Sequence, residues 1–332
     1  MKLFHSLLYP LLGGLFCLSC SDDEQDSGTK QPTTAGEVTF GVDLTGFSTR
    51  VTQDGSSWND GDKIGTYVLD MKTLEPVTEA ANVPYVCSEE GASVSFTSTT
   101  PLKVQNDGTP VKFVAYYPYN ADVRNFNYPV QLAAQERGST ACDLLYAATK
   151  EEYTYSPENE PHISLNFTHR LAKVILKFVN MEKEPLEVSD VRIEGMQTAA
   201  SFNIQTDVLT VDESSVATIN PYHNATTGFY EAIILPSALT DSYKVSFVLD
   251  DREKEWIFTN LDIALPQFHK GYSYTFALYI DDSGFVEMGR LENVEGGNSS
   301  APWEDGSSED GTAEGDKTPV SGYAFTLSLI HI

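Results

Sequence analysis

Residues 38–51 read VTFGVDLTGFSTRV, and the interpretation of this stretch decides the fold. Val38, Phe40, Val42 and Leu44 are apolar and alternate with Thr39, Gly41 and Asp43. A period of two sends alternate side chains to opposite faces of a strand, so the stretch predicts a first β-strand with one buried face. The strand runs out through Gly46 and Ser48 into Arg50, the first arginine of the chain. Small and polar residues surround Arg50, which predicts a segment open to proteolysis between Arg50 and Val51.

Downstream, the same kind of pattern recurs. Residues 64–69, 84–87, 92–96 and 111–117 are short β-like runs at the spacing of an antiparallel sandwich. Asn106-Asp107-Gly108 and Pro118-Tyr119-Asn120 break them. Residues 120–148 are less regular, and 132–136 predict a helical turn. A second set of runs begins near Ile163 and continues at 172–178, 188–193, 201–204, 229–235, 243–249, 255–258 and 272–280. In the first of these, Lys173 and Lys177 predict a wet face opposite Ala172, Val174, Leu176 and Phe178. No amphipathic helix of any length is present, so the fold class is all-β. The polar segment 155–161, with two prolines, marks the boundary between two β-sandwiches, one over 37–160 and the other over 161–303.

The ends of the chain read differently. Lys2 and the mostly apolar residues 3–18 form a signal segment that is short for a spanning helix. It closes on Leu18-Ser19-Cys20, which resembles the lipobox of bacterial lipoproteins, with Cys17 where an aliphatic residue usually stands. The alternative is an ordinary signal peptide with an incidental cysteine. The resemblance implies that residues 1–19 are removed and that Cys20 is acylated. Residues 20–36 are polar and suit a flexible tether. Their opening Ser21-Asp22-Asp23-Glu24 resembles the surface-export signal of Gram-negative lipoproteins, which implies an outward-facing anchor in the outer membrane. At the other end, residues 304–322 form an acidic linker. It leads into a truncated remainder, 323–332, whose last six residues, LSLIHI, match the translation of a sequencing-library adapter, CTG TCT CTT ATA CAC ATC. The natural C-terminal part is therefore expected to differ from about Thr326 onward.

Composition narrows the function. The chain has 332 residues, 41% hydrophobic and 21% charged, enough for two domains with their own cores. A net charge of -27 repels nucleic acid and anionic membrane surfaces. Once the leader is gone, Cys87 and Cys142 are left, and an oxidising compartment permits a disulfide between them without showing that they are close.

Three constellations bear on chemistry. Trp58-Asn59-Asp60-Gly61-Asp62-Lys63 gathers carboxylates around a glycine but lacks the ligand spacing of a calcium loop, so a hairpin turn is expected and no metal or cofactor. The six histidines are scattered, and His169 has no serine, cysteine or acid beside it in a recognisable catalytic motif. No enzyme is expected. Tyr116, Tyr117, Tyr119, Phe126 and Tyr128 cluster around a loop, where they either plug one end of a sandwich or stack on sugar rings.

In order along the chain, the Cys20 lipobox, Thr49-Arg50, WNDGDKIG at 58–65, FVAYYPY at 113–119, DLLYA at 143–147, FTHRLAK at 167–173 and KGYSYTF at 270–276 together resemble the fimbrillin family. The resemblance implies two transthyretin-like antiparallel β-sandwiches in tandem and a place in a pilus as stalk, tip or anchor. It also implies cleavage by an arginine-specific protease after the first strand, at Arg50-Val51. A strand from another subunit then fills the emptied groove. The acidic linker after Trp303 favours a tip or accessory component over a stalk subunit. The partners expected are therefore other pilus subunits, the outer membrane through its lipid, and a host glycan or protein ligand. The alternative is a non-polymerising surface lipoprotein that binds glycan through exposed aromatics.

Overall fold

The computed structural model describes residues 35–43, 57–78, 81–91, 93–138, 140–158, 160–181, 186–249, 251–257, 265–280 and 286–296. Among these there is no α-helix, only one 3-10 turn at Thr140–Cys142. The first strands are β1 (Ala35–Glu37), β2 (Thr39–Asp43), β3 (Lys63–Asp70), β4 (Val83–Cys87), β5 (Ser93–Thr97) and β6 (Lys103–Gln105). They continue with β7 (Val111–Tyr117), β8 (Asn127–Gln131), β9 (Leu145–Ala148), β10 (His162–Leu165) and β11 (Thr168–His169). The C-terminal half opens with β12 (Ala172–Asn180), β13 (Val188–Glu194), β14 (Ala199–Asn203), β15 (Val208–Val211), β16 (Tyr222–Asn224) and β17 (Phe229–Ile234). It ends with β18 (Ser237–Ala238), β19 (Lys244–Leu249), β20 (Arg252–Ile257), β21 (Gln267–Phe268), β22 (Tyr272–Ile280) and β23 (Val286–Gly296).

Eight strands form the first large sheet, in the order β10-β2-β5-β4-β3-β7-β9-β11. In a flat sheet β2 and β7, four places apart, would lie about 19 Å from each other. Yet the Phe40 ring on β2 meets the Phe113 ring on β7 with centroids 5.8 Å apart. The sheet is therefore rolled, and its two ends close on one core that also holds Trp58, Tyr85, Phe96 and Phe167. In the C-terminal half, the sheet β16-β17-β12-β22-β23 and the sheet β13-β19-β20 supply a second core, with Val174, Leu176, Phe247, Tyr274 and Phe276.

A third core joins the halves. Ile64 and Val68 of β3 face the first core, whereas Tyr67 and Leu69 of the same strand face the third. Strands β7 and β9 divide in the same way, with Phe113 and Leu145 on one side and Tyr116 and Tyr146 on the other. Burial on both faces explains why residues 64–69 read as a near-continuous apolar run. The far side of this third core comes from Phe202, Ile204, Ile233 and Leu235. Strand β8, from the N-terminal half, pairs antiparallel with β14 over five residues, Asn127 opposite Asn203 to Gln131 opposite Ala199.

Three expectations change. The boundary near 160 falls too early, because β10 pairs with β2 and β11 with β9, so residues 162–169 complete the first sheet. All described residues fall within one contact unit, which is what a shared third core produces. The helical turn expected at 132–136 is absent. The segment is irregular there because Gln135 is turned inward: its Nε2 donates to the carbonyls of Leu132 (2.8 Å) and Ile233 (2.7 Å), and its Oε1 accepts from the Ile233 N–H (2.8 Å). Lys173, expected on a wet face, is buried and paired with Glu231 at 2.6 Å.

Candidate functional site

The first strand sits inside the sheet. β2 pairs antiparallel with β5, Phe40 opposite Phe96 and Val42 opposite Val94. On its other side it pairs parallel with β10, Phe40 opposite Ile163 and Val42 opposite Leu165. Val38, Phe40 and Val42 are wholly buried, as their alternation predicted. Phe40 stands edge-on to Tyr85, with centroids 4.8 Å apart. Tyr85 also ties the strand by its hydroxyl, which donates to the Val38 carbonyl (3.0 Å) and accepts from the Leu102 N–H (2.8 Å). Burial pushes this phenol up to about 12, so it keeps its proton and remains a donor.

On the outer face, β2 and β10 are held by His162. Its Nδ1 lies 3.0 Å from Thr39 Oγ1. Its ring rests on the backbone at Gly41, where an added Cβ would come within 2.6 Å of Nε2. Just upstream, β1 pairs with β6, and Lys103 bonds Glu37 at 3.3 Å between exposed side chains.

Burial of an apolar side chain of this size stabilises a fold by about 1.5–3 kcal/mol. The three buried side chains Val38, Phe40 and Val42 together therefore approach the whole stability of an ordinary domain, about 5–15 kcal/mol. Emptying the slot would expose an apolar trough flanked by unpaired backbone groups on β5 and β10. Such a trough is a template for another strand.

Other expected residues have different fates. Cys20, Arg50 and Val51 lie outside the described residues. Trp58-Asn59-Asp60-Gly61-Asp62 is the expected turn: Gly61 takes a φ of 87°, and Asp62 Oδ2 accepts from the Asn59 N–H at 2.7 Å. Burial raises the Asp62 carboxyl, and the Asn59 N–H partly offsets it. No group of metal-ligating side chains occurs among the described residues. Cys87 and Cys142 are both free thiols, so the disulfide is not formed. Cys87 is in the first core, where its Sγ donates to the Glu89 carbonyl (2.8 Å), whereas Cys142 packs against the third core. His169 does have an acid beside it: Nδ1 lies 2.8 and 3.0 Å from the two Asp143 oxygens. Both side chains are buried, a position suited to tying β11 to the segment before β9. Of the aromatic cluster, Tyr116 is fully buried and Tyr117, Tyr119, Phe126 and Tyr128 are partly buried. Tyr116 meets Tyr128 at 5.3 Å, Tyr67 meets Phe126 at 4.7 Å, and Tyr117 stands edge-on to Trp58 at 5.2 Å with its hydroxyl donating to Asp62 (3.2 Å).

The motifs of the sequence prove to be one another's partners. Gly65, closing WNDGDKIG, lies opposite Tyr116 of FVAYYPY, and the Tyr116 ring occupies the space a side chain at 65 would need. Asp143 of DLLYA holds His169 of FTHRLAK, and Arg170 covers the Tyr146 ring at 4.8 Å while bonding Asp207 at 2.5 and 3.1 Å. Lys173 lies opposite Ser273 of KGYSYTF in the parallel pairing of β12 with β22. The slot for β2 was only half legible: residues 162–165, HISL, carry a weak alternation after a proline, and nothing in it names β2 as a partner.

The architecture is that of an all-β protein with a core in each half, a third core between them and an internal first strand. A sequence profile described as fimbrillin-like matches residues 49–303, and the chain belongs to that family. The match starts beyond β2. Among solved structures, the fold is similar to that of a candidate cell adhesion protein from Bacteroides uniformis, with a TM-score of 0.64 and 22% identity, covering 79% of this chain and 97% of that one. It is also similar to a candidate cell adhesion protein from Bacteroides ovatus, with a TM-score of 0.56 and 15% identity, covering 84% of this chain and 99% of that one. At these identities the likeness establishes the fold. No curated protein sequence matches the chain.

Proposed function

We propose that this fimbrillin-like protein is a surface-anchored structural and adhesive protein, a tip or accessory component of a pilus, assembled by strand exchange after proteolysis at Arg50. In this reading the two halves are transthyretin-like sandwiches and Cys20 carries the lipid that holds the precursor in the outer membrane. The observation that carries it is the position of β2. It fills an internal slot between β5 and β10, is followed within a few residues by Arg50, and lies before the stretch the family profile matches. One cut at Arg50 would part the body from its tether and leave β2 held by non-covalent contacts alone. Membership of the fimbrillin-like family and the likeness to cell adhesion proteins support a surface role. A second reading, glycan binding through aromatics, would rest on the partly buried Tyr117, Tyr119, Phe126 and Tyr128, since Tyr116 is fully buried.

Treatment of the purified protein with an arginine-specific protease, followed by N-terminal sequencing, tests the reading. A new N-terminus at Val51 with a folded body is expected. A folded chain that resists cutting at Arg50 would contradict it.

A further inference from the structure

The ion pair on the C-terminal sheet is not alone. Lys173 on β12, Glu231 on β17 and Asn224 on β16 come from three neighbouring strands, and the pairings Ile175 opposite Glu231, Tyr222 opposite Glu231 and Asn224 opposite Phe229 put all three side chains on one face. They are 7%, 8% and 6% exposed. Glu231 uses both oxygens: Oε2 takes Lys173 Nζ at 2.6 Å, and Oε1 accepts from Asn224 Nδ2 at 2.9 Å. One carboxylate therefore bridges a primary amine and a carboxamide. The amide oxygen is held as well, since Asn224 Oδ1 accepts from the N–H groups of Thr226 (3.0 Å) and Thr227 (3.3 Å).

We infer from this arrangement that Lys173 and Asn224 form an intramolecular amide bond between their side chains, with Glu231 as the proton carrier. The four parts that amide transfer needs are present: a nucleophile, a carbonyl carbon, donors where negative charge develops, and a base touching both nitrogens. A proton moves from Lys173 Nζ to Glu231 Oε2, which frees the lone pair of the amine. Nζ adds to Asn224 Cγ, and the charge gathers on Oδ1 against the two N–H groups. Glu231 then gives its proton to Nδ2, the Cγ–Nδ2 bond breaks, and ammonia leaves. Glu231 takes the extra proton from the new amide nitrogen and passes it to the ammonia, so the products are a Lys–Asn amide, an ammonium ion and the original carboxylate. No oxidant, cofactor or second substrate is required. Burial keeps water from competing for Cγ.

The product would clamp β12 to β16 across β17, a covalent brace in the half of the molecule that does not carry the exchangeable strand. It stands independently of the proposed assembly mechanism. A plain buried ion pair is the competing account, and it predicts no change in covalent structure.

Tryptic digestion of the purified folded chain, read by mass spectrometry, decides between them. Trypsin does not cut at a lysine whose amine is acylated. The expected result is peptide 171–177, uncut at Lys173, joined to peptide 193–244 with the loss of one ammonia, about 17 Da. In Asn224→Ala and Glu231→Gln the joined species should vanish and cleavage after Lys173 should return. Wild-type chain that yields separate peptides, with Lys173 freely cut, overturns the inference whatever the variants do. A joined species that persists undiminished in Glu231→Gln overturns the role given to Glu231.

Discussion

Gly65 shows how much can depend on one hydrogen atom. Its Cα faces the Tyr116 ring, whose hydroxyl donates to Asn82 Oδ1 (2.6 Å) and accepts from the Asn120 N–H (3.3 Å). The ring cannot step aside without breaking those bonds inside the third core. Gly65→Ala should therefore destabilise the protein by about 1–3 kcal/mol, the usual cost of overpacking, measured by denaturant unfolding. Phe40→Ala, which empties the centre of the β2 seat, should cost about 3–5 kcal/mol. The buried phenols make a separate prediction. Tyr67, Tyr85, Tyr128 and Tyr274 are each pushed up to about 12 by burial. Unfolded, they ionise near the usual value of about 10. The folded chain thus holds protons that the unfolded chain gives up between about pH 10 and 12, so stability is intact below that window and falls as pH rises through it. Tyrosinate absorbance followed in a pH titration should show a late group of phenols that ionises together with unfolding.

At the scale of elements, the β2 slot divides what the sequence states from what it withholds. The buried face of β2 is written in Val38, Phe40 and Val42, and most later strands fall where alternating runs predicted them. A period of two reports which face is buried but not which strand lies alongside. The parallel partner β10 was consequently assigned to the wrong half. Strand β3 carried a hint in having apolar residues on both faces, Ile64 and Val68 on one and Tyr67 and Leu69 on the other, and the third core supplies the second cover. Lys173 misled for a similar reason: lysine on an alternating strand normally marks a wet face, and its partner Glu231 is too distant in sequence to be paired with it in advance. Positions 58–65 were legible as a turn because Asp-Gly needs only local geometry. The β2–β10 seam makes its own prediction. His162→Ala removes the contact with Thr39 and the cover over Gly41 while leaving the backbone pairing intact. It should lower stability by about 0.5–1.5 kcal/mol, the net worth of one such hydrogen bond, and speed the release of β2 once the chain is cut.

For the whole molecule, the third core decides how the halves behave. Gln135 bonds the Ile233 backbone through both ends of its amide, β8 pairs with β14, and Arg170 reaches Asp207. Halves joined in this way should unfold in one cooperative step, with fluorescence and circular dichroism transitions coinciding. Two separated transitions would show that the halves are independent. Gln135→Ala strands the Ile233 N–H and carbonyl and should cost about 1–3 kcal/mol. Halves joined in this way suit the proposed exchange of a single strand while the rest stays folded. The account's central claim is tested most directly by cutting the chain at Arg50 and offering a labelled peptide of residues 35–43. The cut chain should release its own N-terminal fragment and take up the peptide in a one-to-one ratio, whereas the uncut chain takes up none. A cut chain that stays folded yet binds no peptide would contradict the account.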